Sequence, residues 1–248
     1  MNFSIHRSAQ RLLVSGLVCL TALPLAAQAA SVAGSGRTAT ETRSLAEFQA
    51  VALSGSMDLL LRQGASQSVQ VKADDNLLPL LETVVESTSH GATLLVRWRK
   101  GQSVYTRSKV SITVVVPKLS ALSASGSGDM KVEAFNTPAL KVSLAGSGDA
   151  KLQGLTTGEL GISISGSGDV GATGSATRLK VSIAGSGDVR LADLKSDDVT
   201  VTIAGSGDAA VNANKTLEVN IAGSGDVNYT GNAALKSRVA GSGSVNKR

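Results

Sequence analysis

Cysteine is almost missing from the sequence, with one residue in 248, and histidine is nearly so, with two. Aromatic side chains are scarce as well: three Phe, two Tyr and one Trp. The single cysteine, Cys19, lies in an apolar run near the start, so neither a disulfide framework nor a thiolate metal site can be built. Val18 precedes it where a lipid-modified cysteine wants a small residue. The aromatic girdles of a transmembrane β-barrel cannot be supplied from so few rings. No stretch after the first run approaches the ~18 apolar residues of a membrane-spanning helix. The formal net charge of +5 is mild and evenly spread, which argues against nucleic acid as a partner.

The opening residues read as an export signal. His6, Arg7 and Arg11 form a positive start, Leu12 to Leu23 an apolar core too short to span a bilayer, and Ala27-Gln28-Ala29 a small-x-small cleavage site. Residues 1–29 are therefore expected to leave. The mature chain is exported through the inner membrane, to the periplasm, the outer surface or the medium, and keeps His90 as its one histidine. A small, polar stretch, 30–44, with Gly34-Ser35-Gly36, is expected to be a flexible leader.

What is abundant is glycine, 27 residues of it, most of it in one recurring phrase. Gly-Ser-Gly-Asp stands at Gly126–Asp129, Gly146–Asp149, Gly166–Asp169, Gly185–Asp188, Gly205–Asp208 and Gly223–Asp226, and a seventh copy, Gly241–Ser244, ends in serine. Successive starts are 20, 20, 19, 20, 18 and 18 residues apart. Such even spacing marks a repeat architecture. Six, four and two places before each phrase stand aliphatic residues, as in Leu140, Val142, Leu144 and Leu179, Val181, Ile183, with polar residues between them. This is the alternation of a half-buried strand. A shorter alternation follows each phrase, as at Val189 and Leu191.

Each repeat is thus two strands joined by a glycine-rich corner, a unit that cannot bury its own apolar side. Stacked about 4.8 Å apart, such units bury a continuous aliphatic column. The expected fold is all-β: a parallel β-helix (β-solenoid) with rungs of about 20 residues, right-handed by analogy with crossover connections. An antiparallel sandwich of hairpins would not need identical corners. One domain is expected over 45–248, with regular rungs over 119–248 and irregular first turns over 45–118 that also cover the end. In that first part Ser54–Asp58 is a degenerate copy of the phrase, Thr83–Glu86 and Thr93–Trp98 form a hairpin, and Val110–Val116 is a strand stopped by Pro117. Asp75-Asn76 would cap a short helix over Leu77, Leu78, Leu80 and Leu81, with Pro79 in its first turn. In the last unit Ser237 and Arg238 replace the usual inward aliphatic and outward hydroxyl residues, as an exposed solenoid end requires.

The corner residues suit corner chemistry. Glycine supplies positive φ or close stacking, and Ser and Asp bind nearby backbone N–H groups. The competing reading of the ladder Asp129, Asp149, Asp169, Asp188, Asp208 and Asp226 is a calcium site. Stacked carboxylates repel by about 0.8 kcal/mol per neighbouring pair in water, which a cation would relieve. One carboxylate per rung is short of the six to eight oxygens calcium takes, so no metal or other cofactor is expected. Gly166-x-Gly168-x-x-Gly171 matches a dinucleotide fingerprint, but no helix follows it. His90 stands in a turn without a second ligand.

The sequence resembles the bacterial GIN-domain family, described as autotransporter-adhesin heads and otherwise of unknown function. The likeness covers Phe48 to Val245. It rests on Phe48-x-x-Val51-x-Leu53-Ser-Gly55, Asp75-Asn76-Leu77-Leu78, Val114-Val115-Val116-Pro117-x-Leu119 and the Gly-Ser-Gly-Asp series. The resemblance implies a right-handed parallel β-helix and supplies no catalytic residues. The expected protein is a non-enzymatic envelope or surface component that binds an envelope glycan or protein. Its candidate binding face is Ser143, Ser163, Ser182, Thr202 and Asn220, flanked by Lys141, Lys180 and Lys236. Two alternatives remain open: a purely structural spacer, and a polysaccharide-cleaving β-helix enzyme using Asp149, Asp169 and Asp188. Against the enzyme, the aspartates recur in every rung and sugar-stacking rings are nearly absent from the repeats, where Phe135 and Tyr229 stand alone.

Overall fold

The computed structural model describes residues 31–248, so the expected export signal lies outside the described residues. The first part runs β1 (Ser31–Ala33), β2 (Thr38–Arg43), β3 (Ala50–Ser54), β4 (Asp58–Gln63), β5 (Ser68–Asp74), β6 (Leu81–Thr88), β7 (Gly91–Trp98), β8 (Ser103–Tyr105) and β9 (Ser111–Val116). The regular part begins with β10 (Ala121–Gly126), β11 (Met130–Glu133), β12 (Asn136–Gly146), β13 (Ala150–Gly166) and β14 (Val170–Gly185). It continues with β15 (Val189–Gly205), β16 (Ala209–Gly223), β17 (Val227–Thr230), β18 (Ala234–Gly241) and β19 (Val245–Lys247).

Segments that precede a corner stack in parallel, in the order β7, β3, β10, β12, β13, β14, β15, β16 and β18. Segments that follow a corner form a second parallel stack: β9, β4, β11, then the starts of β13 to β16, then β17 and β19. The fold is a β-solenoid. Its core is made of side-chain columns, since parallel in-register pairing puts like positions on top of one another. Leu140, Leu160, Leu179, Val199 and Leu217 form one column, and Val142, Ile162, Val181, Val201 and Val219 the next, all buried. Each such side chain contributes roughly 1.5–3 kcal/mol before entropy is charged.

Repeats of unequal length still keep corner on corner. The register slips instead in the turn opposite the corner, between Leu152 and Leu155, Gly171 and Gly174, and Leu191 and Lys195. Length variation is absorbed within that turn, between positions that pair in register on either side of it.

The first part closes one end. β5 runs antiparallel to both β9 and β2, and β6 antiparallel to β7, so the parallel stacks terminate in antiparallel edges. Two expectations for this region change. The segment 30–44, read as a flexible leader, contains β1 and β2, because its backbone finds partners in β8 and β5. The short helix over Leu77–Leu81 is a single 3-10 turn, Leu78–Leu80, without a side-chain cap. The Asp75 carboxylate is engaged elsewhere, accepting from Ser35 Oγ and Asn76 N, and β6 begins directly at Leu81, leaving no length for a second turn.

Candidate functional site: the corner ladder and the outward column

In each corner the first glycine has φ between +128° and +140° from Gly126 to Gly241, a region costly for any residue with a Cβ. The second glycine is required by stacking. A Cβ on Gly168 would overlap the carbonyl oxygen of Gly148 in the preceding rung, and the same holds up the series. In the degenerate copy this second position is Met57, buried, and here no Gly-Ser-Gly-Asp corner lies on the preceding side. The departure marks the first corner of the stack.

The aspartate of each corner serves the next rung. Asp58 Oδ1 accepts the N–H of Asp129 at 3.0 Å, Asp129 that of Asp149 at 3.3 Å, and Asp149 that of Asp169 at 3.0 Å. The series continues through Asp169 to Asp188 (2.9 Å), Asp188 to Asp208 (3.0 Å) and Asp208 to Asp226 (2.8 Å). Asp226 closes it by accepting both the N–H and the hydroxyl of Ser244, each at 2.8 Å. Serine at this seventh copy fits the ladder as well, since its hydroxyl adds a second hydrogen bond to the Asp226 carboxylate. The other carboxylate oxygens are partly engaged. Arg190 bridges Asp169 (2.8 Å) and Asp188 (3.3 Å), and Lys109 pairs with Asp58 at 2.5 Å. Asp169 holds the Arg190 guanidinium above its already high value. Among the described residues no three His, Cys, Asp or Glu side chains converge in a way that could hold a metal ion. The three aspartates of the enzyme reading, Asp149, Asp169 and Asp188, are members of this ladder like the rest.

The candidate face is one column. Ser143, Ser163, Ser182, Thr202 and Asn220 are paired in direct register, extended by Ser123 on one side and Arg238 on the other. Two positions earlier runs the flanking column Lys141, Gly161, Lys180, Thr200, Glu218 and Lys236, in which Lys236 pairs with Glu218 at 3.5 Å. The face carries two shallow depressions, of about 280 Å³ around Ser123, Ser143 and Ser163 and about 290 Å³ around Thr202, Asn220 and Arg238.

Two of the larger grooves escape sequence reasoning. One, of about 490 Å³, lies beside the ladder, where Arg62 and Lys131 both bind Glu133 (2.7 and 2.6 Å) next to the Lys109–Asp58 pair. Lys131 and then Arg62 hold the Glu133 carboxyl below the usual glutamate value. The other, about 860 Å³, is on the side opposite the corners and is lined by Gln49, Lys118, Asn136, Thr137, Thr157 and Thr177. Residues this far apart in the chain meet only because rungs stack, and no local motif announces them.

The chain matches the model of the family described as "Putative auto-transporter adhesin, head GIN domain" over residues 47–233. It belongs to that family. Among solved structures, an adhesin-described protein of Bacteroides fragilis NCTC 9343 superposes with a TM-score of 0.81 at 23% identity, covering 88% of this chain and all of that one. A protein of Parabacteroides distasonis ATCC 8503, described as a "Putative lipid binding protein", gives 0.73 at 26% identity over 88% of this chain and 100% of its own. An adhesin-described protein of Parabacteroides merdae ATCC 43184 gives 0.72 at 21%, covering 88% of this chain and 99% of that one. No match to the sequence is found among curated proteins. Among the described residues no helix is long and apolar enough to cross a membrane.

Proposed function

We propose that the protein is a non-enzymatic, extracytoplasmic β-solenoid that presents the column Ser143, Ser163, Ser182, Thr202 and Asn220 to a glycan or protein of the cell envelope or surface. Its coil is right-handed, as the crossover rule favours. The observation that carries the reading is the uninterrupted register of that column, which sets hydroxyl and amide groups about 4.8 Å apart on a stiff support. Membership of an adhesin-described family supports it. So does the use of the corner aspartates as backbone acceptors, a role that explains their recurrence without chemistry on a substrate.

The test is binding of the purified protein to envelope polymers and surface glycans, with Ser163→Trp and Ser182→Trp as blocking variants. Loss of binding in both, with an unchanged melting temperature, is the expected result. Binding indifferent to both substitutions contradicts the reading. Hydrolysis of any polysaccharide that disappears in Asp149→Asn would replace it with the enzyme reading.

A further inference from the structure

One stretch outside the repeats departs from the even spread of charge expected of the sequence as a whole. Arg97, Arg99, Lys100, Arg107 and Lys109 follow one another without an acidic residue among them, and Trp98 and Tyr105 stand between them. The chain has one Trp and two Tyr in all, so two of these three rings fall among thirteen residues rich in cations.

In the structure this stretch leaves β7, turns where Gln102 N donates to Arg99 O (3.2 Å), forms β8 and enters β9, all at the closed end of the solenoid. β8 pairs in parallel with β1, Ala33 opposite Tyr105, as a two-stranded ribbon apart from the main sheet. The cations differ in what holds them. Arg97 is bound by Glu82 at 3.1 Å and Glu86 at 3.5 Å, and Lys109 by Asp58. Arg99 reaches Glu82 only at 4.0 Å and donates to the carbonyl of Pro79. Lys100 and Arg107 are exposed and have no ion-pair partner among the described residues. Between them is Tyr105, 60% exposed, more so than the other exposed large apolar residues, Leu235 and Val239 at 42% and 43%.

Two unpaired cations on the same short connection as an uncovered phenol ring match the chemistry of a lipid headgroup layer. There phosphates meet the cations and the amphipathic ring sits at the level between water and acyl chains. A soluble polyanion would use the cations and leave the ring in water. We infer that the closed end of the solenoid docks on an anionic lipid bilayer through Arg99, Lys100, Tyr105 and Arg107. The site is separate from the outward column, and it orients the molecule: the rungs then stack away from the bilayer, the last corner farthest out.

Co-sedimentation with phosphatidylglycerol–phosphatidylcholine vesicles tests the inference, with pure phosphatidylcholine vesicles as reference. Expected is binding to the anionic vesicles alone, weakening as salt rises. Each cation removed should lower the partition coefficient about fivefold, so the variant with Lys100→Gln and Arg107→Gln loses about 25-fold. Tyr105→Ser should weaken vesicle binding further, and Ser163→Trp should leave it unchanged, which separates this site from the outward column. Should the double variant melt early, Lys100→Gln alone, on an exposed turn, carries the same test with a fivefold loss. Absence of binding to anionic vesicles at low salt overturns the inference, as does binding that the charge variants do not reduce. Equal affinity for dextran sulfate with no effect of Tyr105→Ser overturns it in favour of a soluble polyanion.

Discussion

Asp208 accepts the N–H of Asp226, and Gly168 lies flat against Gly148, so the residues of one corner are selected by the rung beside it as much as by their own turn. Gly168→Ala therefore has no local remedy: the clash is with backbone, and relief requires parting two rungs. A loss of about 3 kcal/mol in denaturant unfolding is expected, at the upper end for overpacking. Glu133 is a residue-scale feature of another kind. Lys131 and Arg62 depress its folded value below the ordinary 4.5, so it stabilises the fold above that value, and the contribution is lost as pH falls through the depressed value. Melting curves of the protein and of Glu133→Gln should differ above pH 4.5 and converge in stronger acid. A difference that grows as pH falls would contradict the pairing seen in the groove. Sequence reading reached the corner as a set of residue types. It could not reach the direction of the aspartate bond, which runs between residues 18 to 20 positions apart, or 71 for the first pair.

At the scale of the element, strands are held in register at the corner and released in the turn opposite. Inserting one residue between Gln153 and Gly154 falls where the pairing already slips, and should cost under about 1 kcal/mol, as loop extensions do. The same insertion between Ser167 and Gly168 displaces Asp169 from its acceptor and its donor together, and should abolish a single cooperative transition in urea. Equal tolerance of the two would mean that the corner does not set the register. The regular strands were legible in the sequence because period-two alternation and a fixed phrase both report on them. The first part was less so. Thr38–Arg43 carries no apolar alternation, since β2 is an edge strand with one neighbour, and its pairing with β5 depends on sequence remote from it. The Leu77–Leu81 segment has a helix's composition, yet Leu81 already belongs to β6, which leaves room for only one turn. The basic loop around Tyr105 offered cations and rings in sequence, but which cations are paired is a matter of Glu82, Glu86 and Asp58, on other strands.

For the whole molecule, the repeats form a stack in which each rung contacts its neighbours, closed at one end by antiparallel strands and ending at the other in Ser237, Arg238 and Ser244. Within that stack the aspartate column is a set of acceptors for backbone N–H groups, and the proposed function takes it to be neither a cation site nor a pair of catalytic acids. The most direct measurement is the thermal melt of the protein, Asp208→Asn and Asp208→Ala, each in calcium and in chelator. The amide can still accept the Asp226 N–H, so Asp208→Asn should stay within about 1 kcal/mol of the parent, and Asp208→Ala should lose about 1.5–3 kcal/mol, the worth of a hydrogen bond to a charged group. That corresponds to a drop of roughly 3–12 °C for a chain of this size. Neither result should depend on calcium. A melting temperature that calcium raises in the parent and not in Asp208→Asn, or an Asn variant as damaged as the Ala variant, would contradict the ladder.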